Sequence, residues 1–452
     1  MTFFTSSPKT VSGTVRATTF EHSHQDLMAC DECGQVQNVP LVGACAQKVL
    51  TCVRCAQPLA LGQGPWREKT AALVITGLVL FVISNCFVFL GLDVGAFHHE
   101  ANLLSGVWGL IHSDNIPLAI LVFVTIFLFP LFELMALCYL VLPCYFGVRL
   151  PFQITLLRWL IKAAPWSMLE IFLLAVLVTS VKLGDMATIV LGVSIVAFFT
   201  LVAVLGAAYW CINKRDLWAW LHPNNCFVGH DEQGHKLTER LYDCEVCHAL
   251  VGESIIVHHG FCPRCDNQLH TRKPYSLQKT LAYTVAAIIL YFPANILPVM
   301  TMNTLMGERS DTIFSGVAVL IAHGLWGIAA VVFIASLVVP VAKLVILIYL
   351  VWSVSQGHTA GMKQRLWLFK MTEWVGRWSM VDVFVVTLLT GLVQFGFLGT
   401  ITPGGALLPF AAVVVFTMLA AHAFDPRLIW DAAGAQEPIF MGARASDKPC
   451  NL

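Results

Sequence analysis

From position 70 onward, apolar residues run in blocks of about twenty, parted by short polar stretches. A helix of about that length crosses roughly 30 Å of hydrocarbon. The pattern predicts eight spans: 70–92, 117–146, 165–184, 187–210, 279–302, 326–353, 379–398 and 405–424. The second and sixth are longer than a bilayer requires and are expected to tilt or protrude. Polar segments remain at 1–69, 211–278 and 425–452. The expected fold class is an all-α polytopic membrane protein.

The pattern repeats itself. "KTAALVITGLVLFVISN" from Lys69 returns as "KTLAYTVAAIILYFPAN" from Lys279, and "WSMLEIF" from Trp166 as "WSMVDVF" from Trp378. "FPLFELMALCYLVL" matches "VPVAKLVILIYLVW", and "CDEC…CVRC" matches "CEVC…CPRC". Each half therefore reads as a cysteine module followed by four spans. An even number of spans leaves both halves in the same orientation, related by an axis along the membrane normal. The expected divisions are a tail and first cysteine module (1–69), a membrane repeat (70–210), a second module (211–278), a second repeat (279–424) and a tail (425–452).

Charge orients these elements. Arg67, Lys69, Arg149, Arg158, Lys162, Lys214, Arg215, Arg272, Lys273, Lys279, Lys363, Arg365, Lys370 and Arg377 fall on one side of the predicted spans. On the other side the loop 93–116 has no Lys or Arg, and 303–325 has only Arg309. The positive-inside bias places both termini and both cysteine modules in the cytoplasm. The first 25 residues are polar, so no cleavable signal peptide is expected. The 452 residues are 57% apolar and 12% charged with zero net charge, which argues against a soluble chain and against bulk attraction to nucleic acid.

Eight of the fifteen cysteines form four C-x-x-C pairs. Cys30, Cys33, Cys52 and Cys55 make one set, and Cys244, Cys247, Cys262 and Cys265 the other. Two such knuckles supply four thiolates for a tetrahedral Zn²⁺. Gly34, directly after the first knuckle, suits a turn with positive φ. A segment this small cannot build a sufficient core, so bound metal is expected to supply its folding energy. Iron or a redox dithiol and disulfides are the competing readings, and the cytoplasm disfavours structural disulfides. Closed by four cysteines, each zinc site is expected to be structural.

Polar groups inside the spans are the next candidates. Lys343 sits mid-span, where an ammonium costs about 2.5–3.5 kcal/mol on insertion scales. Ser336 and Pro340 share its helix face. Glu133 holds the repeat-equivalent position of Lys343, and Pro130 that of Pro340. Two readings follow: a structural Lys343–Glu133 ion pair, or a wet cavity that takes a charged head group. Lys182 and Asp185 stand near the outer end of the third span, where the lysine either snorkels or borders that cavity. Ser167-x-x-Glu170 and Ser379-x-x-Asp382 match a capping box, with a transport role as the alternative for the acids. Thr417 is the lone hydroxyl inside span eight. Asn85 and Asn295 are equivalent, and Pro293 and Pro298 predict a broken helix around Asn295. No Walker loop and no nucleophile elbow is present, so neither ATP binding nor an enzyme activity is expected.

These features together resemble the paraquat-inducible protein A family, including its lipophilic envelope-spanning tunnel A branch. The resemblance rests on the duplicated cysteine modules and on "SLQKTLAYTVAAIILYFPANILP", "DTIFSGV", "VFIASLVVPVAKL", "GRWSMVDVFVVTL" and "FDPRLIWD". It implies a bacterial inner-membrane protein with cytoplasmic zinc ribbons that handles phospholipid beside an MCE-domain periplasmic tunnel protein. It also implies a transport role for Lys182, Asp185, Lys343, Asp382 and Thr417, to which position adds Ser336 and Glu133. Half one departs from its sister: "SNCFVFL" lacks the prolines of "ANILPVM", and Glu133 replaces the lysine, so an asymmetric site is expected. The competing functions are a proton-coupled exporter of a small amphipathic compound and a non-transporting anchor or zinc-dependent sensor.

Overall fold

Most of the apolar blocks are helices, and small sheets stand between some of them. The computed structural model describes residues 25–40, 50–60, 66–94, 97–183, 188–222, 241–304, 307–322, 324, 326–392, 399–431, 441–442 and 444–445. The chain opens with strands β1 (Gln25–Ala29), β2 (Val36–Pro40), β3 (Leu50–Thr51) and β4 (Pro58–Ala60). Helix α1 (Trp66–Cys86), hairpin β5 (Leu90–Val94) and β6 (Phe97–Ala101), and short helices α2 (Ser105–His112) and α3 (Ile116–Phe123) follow. A π turn (Val124–Leu128) leads into α4 (Phe129–Phe146), then α5 (Gln153–Ala163), α6 (Leu169–Leu183), β7 (Thr188–Leu191), α7 (Val193–Cys211) and α8 (Lys214–Leu221). Strands β8 (Leu241–Asp243) and β9 (Leu250–Gly252) and helix α9 (Glu253–His258) make the second cysteine module. The earlier succession then recurs: α10 (Ser276–Ile296), β10 (Met300–Thr304), β11 (Gly307–Asp311), α11 (Ile313–Ala322), α12 (Trp326–Phe333), a π turn (Ile334–Val338) and α13 (Val339–Ser355). It closes with α14 (Met362–Trp378), α15 (Val381–Leu392), β12 (Gly399–Pro403), α16 (Leu407–Ala423) and α17 (Leu428–Asp431).

Among the described residues, five helices are long and apolar enough to cross a membrane: Trp66–Cys86, Ile116–Phe146, Val193–Cys211, Ser276–Ile296 and Ile334–Ser355. Among the described residues α6, α15 and α16 have 15, 12 and 17 residues against the expected spans 165–184, 379–398 and 405–424, of which 393–398 lie outside the described residues. β7 pairs antiparallel with β5, as β12 does with β10, so each half carries a three-stranded sheet. The expected outer loops 93–116 and 303–325 instead hold a hairpin and a short helix. Gly192 and Gly404 permit the close return of the chain. A Cβ at either would collide with a backbone carbonyl, that of Val88 or of Pro298.

The π turns precede Pro130 and Pro340, which lack the N–H that an α-helix needs. The ladder widens instead of breaking: the Phe129 N–H bonds to the Val124 carbonyl, and that of Val339 to Ile334. Helix α10 likewise runs unbroken through Pro293 to Ile296, contrary to the expected break at Asn295. Asn295 and Asn85 each donate to the carbonyl four residues back, both at 2.8 Å. Two of the stretches between expected spans are amphipathic helices. α5 buries Gln153, Leu157 and Leu160 and exposes Trp159; α14 buries Leu366 and Phe369 and exposes Trp367, Trp374 and Trp378. That spacing is one helical face, and exposed tryptophans suit a membrane–water boundary.

α1 packs on α7 and α4, and α10 on α16 and α13. α6 and α15 join the two sets, with Phe172 edge-on to Phe384 at 5.8 Å.

Candidate functional site

Each cysteine set comes together. The Sγ atoms of Cys30 and Cys55 are 3.5 Å apart, and those of Cys33 and Cys52 3.6 Å. In the second set Cys244–Cys265 is 3.5 Å and Cys247–Cys262 3.6 Å. All eight are buried. A disulfide needs about 2.05 Å, whereas Zn–S bonds of about 2.3 Å put tetrahedral sulfurs about 3.8 Å apart. The spacing fits a four-thiolate metal site, and both clusters have the donors for zinc. The neighbouring sulfurs, Cys30 first, and then burial push the Cys33 thiol up; Cys244 and burial do the same to Cys247. Four thiolates cannot share such a space without a cation.

The knuckles explain why the sulfurs converge. In each, the residue after the second cysteine takes a left-handed conformation: Gly34, Ala56, His248 and Asp266. Its N–H then bonds to the carbonyl of the first cysteine, at 2.8–2.9 Å in all four. Glycine was expected at this turn; only Gly34 supplies it, and the metal-sized cluster holds the other three in a conformation costly to side chains.

The modules dock crosswise. Cys30, Cys33, Cys52 and Cys55 share an apolar cluster with Leu366, Phe369, Phe424, Ile429 and Trp430, all from the far end of the chain. Lys370 reaches Glu32 at 2.7 Å and Gln57 at 2.9 Å, and the Arg54 guanidinium lies 4.8 Å from the centre of the Trp430 ring. The second module instead joins the cluster that holds Leu157, Leu160, Leu217 and Trp218. Arg158 donates to the Asp266 carbonyl at 2.8 Å, and Lys162 to Asn267 at 3.3 Å. The modules also meet each other, with His248 Nδ1 2.9 Å from Asp31, and Asp243 of the second module takes a bidentate pair from Arg427, between α16 and α17, at 3.1 and 3.2 Å. Burial works against the His248 imidazolium, yet Asp243 and Asp31 hold it up to about 9.

Within the spans, Lys343 and Thr417 are brought together. Lys343 Nζ donates to Thr417 Oγ1 at 2.7 Å and to the Gly376 carbonyl at 3.2 Å. Lysine and threonine are both almost wholly buried. Of the two readings of Lys343, the ion pair with Glu133 is not formed. The Glu133 carboxyl lies in its own half against the Ser167 and Tyr209 hydroxyls, with neither oxygen in a well-aligned hydrogen bond. Ser336 is fully buried and bonds to the Val332 carbonyl at 2.8 Å, so it does not face an open cavity. Asp382 and Glu170 fall in the first turns of α15 and α6, but the capping box is not made: Ser379 Oγ is buried without a partner. The helix begins one residue too late for Ser379 to be its cap. Lys182 is in the last turn of α6 with its side chain outside the described residues, and Asp185 lies outside them altogether.

Tyr209, the Gly376 carbonyl, Asp243 and Arg427 were not singled out by the sequence. A backbone carbonyl carries no residue signal. Tyr209 is the one phenol inside α7 and was the readable one.

The Paraquat-inducible protein A family matches residues 68–222 and 277–434. The chain is 34% identical over 414 residues to "Intermembrane transport protein PqiA" of Escherichia coli K12, covering 91% of this chain and 97% of that one. It is 31% identical over 420 residues to "Lipophilic envelope-spanning tunnel protein A" of the same strain, covering 93% and 94%. A "Probable intermembrane transport protein" of Haemophilus influenzae is 30% identical, covering 89% and 95%. No solved structure matches. With both halves matched and the cysteine clusters formed, the chain belongs to the paraquat-inducible protein A family.

Proposed function

We propose that this chain is a non-enzymatic inner-membrane transporter that exchanges phospholipid with an MCE-domain tunnel protein in the periplasm. On this reading the molecule is two tandem four-span repeats, with α6, α15 and α16 completing eight crossings beside the five long helices. The divisions are 1–69, 70–210, 211–278, 279–424 and 425–452. Both termini and both zinc ribbons are cytoplasmic, as the Lys/Arg distribution favours. The ribbons are structural, and no ATP is used.

The observation that carries the reading is Lys343: among the described residues its partners are a hydroxyl and a carbonyl, neither of them a carboxylate. A buried ammonium without a counter-ion is the partner a phosphate lacks in hydrocarbon. Thr417 holds it in waiting. Lys182, Asp185 and Asp382 would act around the same path, and Glu133 and Ser336 would shape the helices that flank it. The relatives' names point to transport between membranes, and the apolar composition suits a lipid cargo.

The test is transfer of radiolabelled phospholipid from proteoliposomes containing the chain to a soluble MCE-domain acceptor. The wild-type chain should transfer, and Lys343→Ala, matched for folded protein, should fall to the rate of empty liposomes. Equal transfer by the two proteins would remove the role given to Lys343.

A further inference from the structure

The segment "FDPRLIWD", residues 424–431, touches both cysteine modules. Phe424, Ile429 and Trp430 belong to the apolar seat of the first module. Between them in sequence, the Arg427 guanidinium holds Asp243 of the second module. The Arg427 Cδ is also the nearest atom, at 3.9 Å, to a Cβ built on Gly34 of the first. Asp431 takes two bonds from Arg272, at 2.6 and 2.8 Å, and Asp425 one from the Lys273 N–H at 3.1 Å, where the chain leaves the second module. The modules touch directly as well. Ala29 and Val36 of one pack with Leu250 of the other, and Asp31 meets His248 Nδ1 at 2.9 Å. These contacts fall where bound metal would fix the chain. Asp31 adjoins the ligand Cys30 in sequence, Gly34 adjoins Cys33, Asp243 adjoins Cys244, and His248 adjoins Cys247.

We propose that the two modules load zinc as one cooperative unit, with the segment 424–431 and the Asp31–His248 contact carrying the coupling between the sites. This needs only the metal fit of the clusters, not the transport reading. His248 holds φ at 54°, a left-handed turn costly to a side chain. Closure of the cluster around a cation supplies the free energy that keeps such a turn. An empty cluster gives the turn up, and with it the side chains that meet the other module. A second ligand binds more tightly to a protein that the first has already ordered. By linkage, each metal then raises the affinity for the other by the same factor. The first module keeps its own apolar seat, and Asp31 is 61% exposed, so the factor is expected toward the lower end of the usual range, about tenfold. At the midpoint of zinc removal, two equal and uncoupled sites leave about half of the chains with one zinc, and unequal sites leave more; tenfold coupling lowers that share to about a quarter.

The experiment titrates the zinc-loaded full chain, in detergent, with a zinc chelator and counts chains holding two, one and no zinc by native mass spectrometry. A one-zinc share near a quarter is the expected result for the wild type. A share of half or more overturns the cooperative unit. Asp243→Leu with Arg427→Met and His248→Gly keeps all eight cysteines, and glycine suits the turn as Gly34 does in the first module. That variant should still bind two zinc ions, with its one-zinc share raised to half or more. A share equal to the wild type's overturns the assignment of the coupling to these contacts. Cys55→Ser and Cys262→Ser each leave one site intact. In each, chelator competition should show the surviving site weakened about tenfold. An unchanged affinity in either chain overturns the coupling.

Discussion

Replacing Arg427 with methionine would leave the Asp243 carboxylate in a site where its side chain is 3% exposed. Both guanidinium nitrogens facing it are lost together, at 3.1 and 3.2 Å. Breaking a buried ion pair from one side costs about 3–5 kcal/mol. His248 stands 3.9 Å away as a partial counter-charge, held as imidazolium by Asp243 and Asp31 against the cost of its burial. The loss is therefore expected near the lower end, about 3 kcal/mol. Replacing both partners, Asp243→Leu with Arg427→Met, removes the unpaired charge and should bring stability back to within about 1 kcal/mol of the wild type. Thermal unfolding of the purified chain in detergent, followed by fluorescence, reads both. The single variant should melt about 3 °C lower. A single variant within about 1 kcal/mol of wild type, or a double variant as unstable as the single, would refute the reasoning.

The purified chain should carry two zinc ions by elemental analysis, and Cys55→Ser should carry one; predominant iron would reject the zinc assignment. Thr417→Val removes the nearer of two acceptors from a buried ammonium, at a cost of about 1–3 kcal/mol, and should lower both folded yield and phospholipid transfer. Thr417→Ser should restore both, and equal behaviour of the two variants would show that the hydroxyl does not matter. Gly404→Ala should prevent accumulation of folded chain in membranes, since its Cβ meets the Pro298 carbonyl; normal accumulation would mean that the β10–β12 sheet is not required.

The cysteine clusters were legible because their geometry is local: two residues between ligands set each knuckle, and all eight sulfurs fell where spacing placed them. The duplicated order of elements was legible for a related reason, since equivalent segments carry matching text. The small sheets were not. "GERSD" has no apolar alternation and that of "MTMNT" is only two methionines long, and the pairing of β10 with β12 is set by contacts about a hundred residues away. Lys343 was legible as a misplaced charge, and the structural pair with Glu133, one of its two readings, is not formed. Equivalence suggested Glu133, while the two groups sit in separate halves with separate hydroxyls. The expected capping boxes failed because helix starts are set by backbone geometry that a Ser-x-x-acid pattern only suggests.

The crosswise docking of the cysteine modules sets a timetable for biosynthesis. The first module is among the earliest segments to leave the ribosome, but its apolar seat is built from Leu366, Phe369, Phe424, Ile429 and Trp430. More than 300 residues separate the module from most of that seat. At about 5–20 residues per second, the module waits roughly 15 to 60 s with its docking face uncovered. Metal captured early would keep it folded through that interval, and a chain truncated before Phe424 would insert its membrane helices yet leave its first-made domain without a place to rest.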